Sequence, residues 1–230
     1  MSSELPAAVD QYVTHLLVKE DAALTQSLQD SAAAELPAIA VAPPQGKFLH
    51  LLARSMRARR ILEIGTLGGY STIWLARALP ADGRLITLEF EPRHAQVAGQ
   101  NLRRAGVAEK VEIRIGAAAD TLQQLIAEKQ PPFDLIFIDA DKESYPQYLE
   151  LSLALSRPGT TLIADNIVRE GELINPDSTD PRVHGVREFC QKLSKHPRLN
   201  STVLQTVGSK GYDGFAMAIV EEDVAGATGS

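Results

Sequence analysis

Three oxygen-bearing side chains, Asp139, Asp165 and Asn166, stand at the ends of two short apolar runs, F-D-L-I-F-I-D (133–139) and T-T-L-I-A-D (160–165). If these runs are neighbouring parallel strands, the three side chains converge beyond the strand ends. No imidazole or thiolate is among them, so the set suits a hard divalent cation, Mg²⁺ or Mn²⁺, with water or substrate completing an octahedron. A lone Asp at a strand end can equally cap the element that follows. Lys142 lies three residues past Asp139, in D-A-D-K. It can simply pair with the nearby acids, or, beside a cation that favours the neutral amine, act on a proton.

A second constellation is E-I-G-T-L-G-G-Y-S, Glu63 to Ser71. Gly65, Gly68 and Gly69 let the backbone turn tightly and approach a ligand without Cβ atoms in the way. Ser71 is expected to cap the helix that follows. Glu89 ends the next apolar run, 21 residues after Gly68, where a carboxylate can accept hydrogen bonds from ribose hydroxyls. A dinucleotide G-x-G-x-x-G fails, because counting from Gly65 puts Leu67 and Tyr70 at the second and third positions. A phosphate-binding P-loop fails as well, since Gly46-Lys47 lacks the upstream glycine and the following Ser or Thr. The five histidines, at 15, 50, 94, 184 and 196, show no paired spacing. The single cysteine, Cys190, excludes an intrachain disulfide and any Cys-based zinc site.

Positioning these groups takes an alternating pattern of elements. Strands are expected at 61–64, 84–90, 111–115, 133–139 and 160–165, with helices at 72–79, 92–105, 121–129 and 145–155 between them. Such alternation implies parallel strands, right-handed crossovers and helices on both sheet faces. A helix near 186–193 and two strands, 201–207 and 214–220, close the chain, with the turn G-S-K-G-Y-D-G between them. Residues 1–57 read as a helical segment interrupted by the Pro-bearing stretch 36–44. It belongs to the same domain as 58–220, followed by a frayed tail at 221–230. With 23 Lys and Arg against 29 Asp and Glu, the net charge of −6 argues against a nucleic-acid partner. No apolar run of about 20 residues could cross a membrane, and M-S-S-E-L-P lacks the marks of a signal peptide. A soluble, cytoplasmic protein is expected.

Taken together, strand-E-I-G-x-x-x-G-Y-S, strand-E, D-A-D-K, A-D-N and G-S-K-G-Y-D-G-F resemble the cation-dependent O-methyltransferases that use S-adenosylmethionine (SAM). Catechol and caffeoyl-CoA O-methyltransferases belong to that family, and its bacterial members look closest. The resemblance covers about residues 42–220. It implies an α/β fold, a doubly wound Rossmann-like sheet of seven strands, mostly parallel with one antiparallel strand near the C-terminus, plus N-terminal helices. It implies that Glu63, Gly65, Ser71 and Glu89 hold SAM, with Ser71 near its carboxylate and Glu89 on the ribose. Asp139 and Asp141 would border the cofactor, together with Val41 and Ala118. Asp139, Asp165 and Asn166 would bind the metal, and Lys142 would be the general base. Where family members often face the adenine with a polar side chain, this chain has G-A-A-A-D (116–120), so Ala118 offers backbone only. The implied reaction is methyl transfer to a hydroxyl of a vicinal dihydroxy aromatic, with Val41–Pro44 and Val168–Val183 meeting that phenolic substrate, in a homodimer. Two alternatives stay open: a metal-independent SAM methyltransferase on another small acceptor, and a non-catalytic nucleotide-binding protein.

Overall fold

The computed structural model describes residues 4–222. The first helices are α1 (Glu4–Val13), continued by a π-helical turn (Thr14–Val18), α2 (Ala22–Ala33) and α3 (Pro43–Ser55). Five strands then alternate with helices: β1 (Arg60–Ile64), α4 (Tyr70–Ala78), β2 (Arg84–Glu89), α5 (Pro92–Arg104), β3 (Val111–Ile115), α6 (Ala118–Ala127), β4 (Leu135–Ile138), α7 (Tyr145–Ala154) and β5 (Thr161–Ala164). Helix α8 (Pro181–Lys195) and a hairpin of β6 (Leu199–Gly208) and β7 (Gly211–Val220) complete the chain. One seven-stranded sheet results, in the order β3-β2-β1-β4-β5-β7-β6. Strand β7 pairs antiparallel with both β5 and β6, while β1 to β5 pair in parallel, as expected.

The apolar runs of β1, β4 and β5 are continuous because these strands are covered on both faces. Alternate residues divide between two cores. Ile61, Leu135 and Ile163 pack beneath Leu49, Ile73 and Leu75 of α3 and α4. On the other face, Leu62, Ile136 and Leu162 pack against Leu122, Leu149 and Phe189 of α6, α7 and α8. Strand order reverses between β1 and β4, and the crevice outside the carboxyl ends at such a switch point is where doubly wound sheets hold ligands.

Several boundaries differ from the sequence expectation. Helix α4 begins at Tyr70, with Gly69 at its N-cap in a left-handed conformation (φ +83°). Ser71 therefore sits inside the first turn and is not the cap; its hydroxyl is used elsewhere. Helix α2 gave no separate sequence signal, and α8 starts five residues before 186, capped by Asp180, whose carboxylate accepts from the Arg182 N–H at 2.8 Å. The closing strands extend toward each other until only Ser209 and Lys210 lie between Gly208 and Gly211. The proposed tail falls mostly at 223–230, outside the described residues.

Candidate active site

At the end of β1 the chain turns at Gly65 (φ +102°), where an added Cβ would sit 2.0 Å from the Asp139 carbonyl oxygen. Only glycine lets the ends of β1 and β4 come this close. Glu63, just before it, has no solvent exposure and accepts hydrogen bonds from Ser71 Oγ (2.6 Å), Thr72 Oγ1 (2.5 Å) and Thr87 Oγ1 (2.7 Å). Burial pushes its carboxyl up to about 7 against the pull of those three hydroxyls. Thr87 is the register partner of Glu63 on β2, which is how sequence pairing alone could have found it. Glu89 is aimed by the backbone: its Oε2 accepts from Leu67 N at 2.7 Å and Thr66 N at 3.3 Å, its Oε1 from Glu91 N at 2.9 Å. His94 Nδ1 stands 3.4 Å from that Oε1, a neighbour no spacing signal revealed.

The β4 and β5 ends are built differently. Lys142 Nζ donates to Asp139 Oδ1 at 2.8 Å, and the amine lies 4.9 Å from the centre of the Tyr145 ring. The Tyr145 hydroxyl lies 3.1 Å from the Ile138 carbonyl oxygen and 3.0 Å from that of Asp165, bracing the two strand ends. Asp165 is 7% exposed, and its Oδ1 accepts from the Asn166 N–H at 2.8 Å. Burial, with the Asp139 carboxylate facing it, pushes the Asp165 carboxyl up to about 7, while a hydrogen bond from Gln45 opposes the shift. Asn166 takes a left-handed backbone (φ +56°), a conformation its short polar side chain tolerates. Asp141 accepts from the Tyr148 hydroxyl at 2.5 Å, one helical stretch away along the same turn.

A cavity of about 840 Å³ joins both halves. All the site residues expected from sequence line it except Glu63 and Asp165, which lie behind its wall. Its size is ample for a nucleoside-sized cofactor plus a small aromatic. A smaller cavity of about 340 Å³, beside Asp10 and Ser209, contains none of them. Among the described residues no three His, Cys, Asp or Glu side chains gather at metal-binding distance. The candidate set is two carboxylates and one amide, all oxygen donors, with only Lys142 to offset the charge of both acids; that donor set fits a hard divalent cation. Gln45, Tyr145 and Tyr148 support this half and were not anticipated, because their roles depend on contacts between elements.

The family model described as O-methyltransferase matches residues 15–217. A catechol O-methyltransferase of Niastella koreensis is 52% identical over 221 residues, 96% of this chain and 100% of that protein. The crystal structure of an O-methyltransferase from Bacillus cereus in complex with S-adenosylhomocysteine (SAH) superposes with a TM-score of 0.94 at 57% identity, covering 95% of this chain and 100% of its own. An O-methyltransferase of tomaymycin synthesis from Streptomyces achromogenes, in complex with SAM, gives a TM-score of 0.93 at 50% identity, covering 96% and 100%.

Proposed function

The chain belongs to the O-methyltransferase family and is a SAM-dependent enzyme similar to catechol O-methyltransferase; we propose that its acceptor is a hydroxyl of a vicinal dihydroxy aromatic and that turnover needs a divalent cation. The observation that carries this reading is the Asp139–Lys142 pair, which lines the same cavity as Glu89, with the buried Asp165 behind the wall beside Asp139.

Glu89 accepts from the ribose hydroxyls with oxygens already oriented by the Leu67 and Glu91 N–H groups. Ser71 spends its hydroxyl proton on Glu63, so a cofactor carboxylate at this point is met by the open N–H groups of the first turn of α4. Ala117 to Ala119 border the adenine with backbone and methyl groups, and Val41 and Asp141 close the methionine side, Asp141 steadied by Tyr148. SAM supplies a methyl group made electrophilic by its sulfonium. Asp139, Asp165 and Asn166 would hold Mg²⁺ or Mn²⁺, which supplies orientation and acidification of the two acceptor oxygens. Lys142 takes the proton from the reacting hydroxyl. With 7% exposure and the Tyr145 ring beneath it, its amine has little freedom to leave that position.

The test is methylation of catechol, a flavonoid, caffeate and a caffeoyl thioester by metal-stripped protein, with and without added Mg²⁺ or Mn²⁺. Turnover should appear only with the cation. A full rate in excess chelator would make Asp139 and Lys142 a structural ion pair in a metal-independent methyltransferase.

A homodimer is part of the same reading. Helix α1 buries none of its residues, and Leu5, Val9, Tyr12, Leu16 and Leu17 stay exposed along it and the turn that follows. Sedimentation at micromolar concentration should give twice the chain mass.

A further inference from the structure

Beyond Asp165 the backbone takes a disfavoured path. Arg169 and Glu170 both have positive φ, +54° and +56°, a left-handed conformation that side chains with a Cβ resist. The surrounding structure enforces it. Asp213 of β7 accepts at one oxygen from the Val168 and Arg169 N–H groups, each at 2.9 Å, and the Ile167 N–H donates to the Gly214 carbonyl at 2.8 Å. Further along, Arg187 of α8 donates to the carbonyls of Leu173 (2.8 Å) and Glu172 (3.1 Å). The loop is thus stapled on both sides of Arg169.

The result is an arginine held at the cavity wall. Its Nε is buried without a hydrogen-bond partner. Among the described residues no carboxylate lies within 4.0 Å of its guanidinium; Asp180, which feels its charge from farther off, is hydrogen-bonded to Arg182, the other arginine on this cavity. A buried, unpaired N–H of a charged group is costly unless a ligand oxygen meets it. Position narrows the ligand. The strand order puts β1 and β4 between Glu89 and the loop after β5, so Arg169 stands on the side away from the ribose, and away from Ser71 at the end of β1.

We propose that Arg169 is a specificity residue of the acceptor site and reads a carboxylate on the acceptor, whose class is then a dihydroxyaryl carboxylic acid. A planar guanidinium matches a carboxylate in a way that it does not match a neutral substituent. This rests on the catechol reading above. It adds that the ring carries an anion, placed by Arg169 while the two hydroxyls face Lys142.

The experiment compares protocatechuate with its methyl ester, which keeps the catechol and removes the charge, in the wild type, R169Q and R169K at saturating SAM and Mg²⁺. The wild type should favour the acid, and the acid-to-ester ratio of kcat/KM should fall roughly tenfold to a hundredfold in R169Q, chiefly through KM. R169K should retain part of the preference. Calorimetry of protocatechuate binding to the SAH-loaded protein should show the same loss in R169Q without turnover. An unchanged ratio, or equal affinity of R169Q and wild type for the acid, overturns the proposal while leaving catechol methylation intact. If neither compound is methylated by the wild type, this proposal falls, and the catechol reading falls with it only if catechol, the flavonoid, caffeate and the caffeoyl thioester are refused as well.

Discussion

Glu63 and Glu89 at the ends of β1 and β2, and Asp139 and Asp165 at the ends of β4 and β5, are two pairs of acids around one cavity. The first pair is supplied with donors by its own chain: three hydroxyls on Glu63 and three backbone N–H groups on Glu89. The second pair has Lys142 on Asp139, and one backbone N–H and Gln45 on Asp165. Glu63 and Asp165 are both pushed up to about 7, chiefly by burial; the Asp139 carboxylate adds to the rise at both, as the second cause at Asp165 but behind the opposing pull of three hydroxyls at Glu63. The contrast is what supports the proposed division of labour: Glu89, fixed by internal donors and open to the cavity, would be a rigid acceptor for an organic ligand, whereas a pair of acids with too little compensation would take a cation.

The sharpest way to break that contrast is Asp139→Asn. Turnover should fall below detection at ordinary Mg²⁺ concentrations and calorimetric Mg²⁺ binding should vanish, while SAH still binds, since a neutral amide is a poor ligand for a hard cation. Parallel loss of SAH affinity would show the two halves to be one unit. Lys142→Ala should lower the rate by roughly 10²–10⁴-fold with Mg²⁺ binding preserved. It should also flatten the rise of rate with alkaline pH, because the proton then leaves to solvent. An unchanged pH profile would assign deprotonation to the cation alone.

Glu89→Ala probes the other half. Losing a charged acceptor of ribose hydroxyls is worth about 1.5–3 kcal/mol, so the Kd for SAM should rise by about 10- to 150-fold. Mg²⁺ binding and the melting temperature should hardly move. Unchanged SAM affinity by calorimetry would remove Glu89 from the cofactor site.

The alternation of parallel strands with helices was legible because continuous apolar runs mark the buried strands, and with β4 beside β5 their ends bring Asp139 next to Asp165 and Asn166 as the sequence reading required. What escaped depended on contacts between distant elements. Ser71 looks like a helix cap in sequence, yet Gly69 takes that place and Ser71 turns back to Glu63. Tyr145 reads as an ordinary apolar residue of α7 until its hydroxyl is seen bracing two strand ends. Arg169 carries no motif, and only the backbone held by Asp213 places it at the cavity.

The smallest expected effect concerns Glu63, which touches no ligand directly. Its carboxyl ordinarily titrates near 4.5 and in the fold near 7, so the folded state holds the proton more tightly than the unfolded chain. The corresponding stabilisation is fully present below 4.5 and is lost as pH rises through 7. Melting temperature, measured in saturating Mg²⁺ so that the acids at β4 and β5 stay ionised, should therefore decline between those limits. The span of that shift corresponds to at most about 3.5 kcal/mol. Glu63→Gln keeps the shape and can still pair with Ser71, Thr72 and Thr87, whose hydroxyls rotate to accept as well as donate. It should abolish the decline and leave Mg²⁺ binding untouched. A wild-type slope in Glu63→Gln would mean that the three hydroxyls hold the carboxylate ionised throughout, and Glu63 would then resemble Glu89, a charge fully met by its own chain.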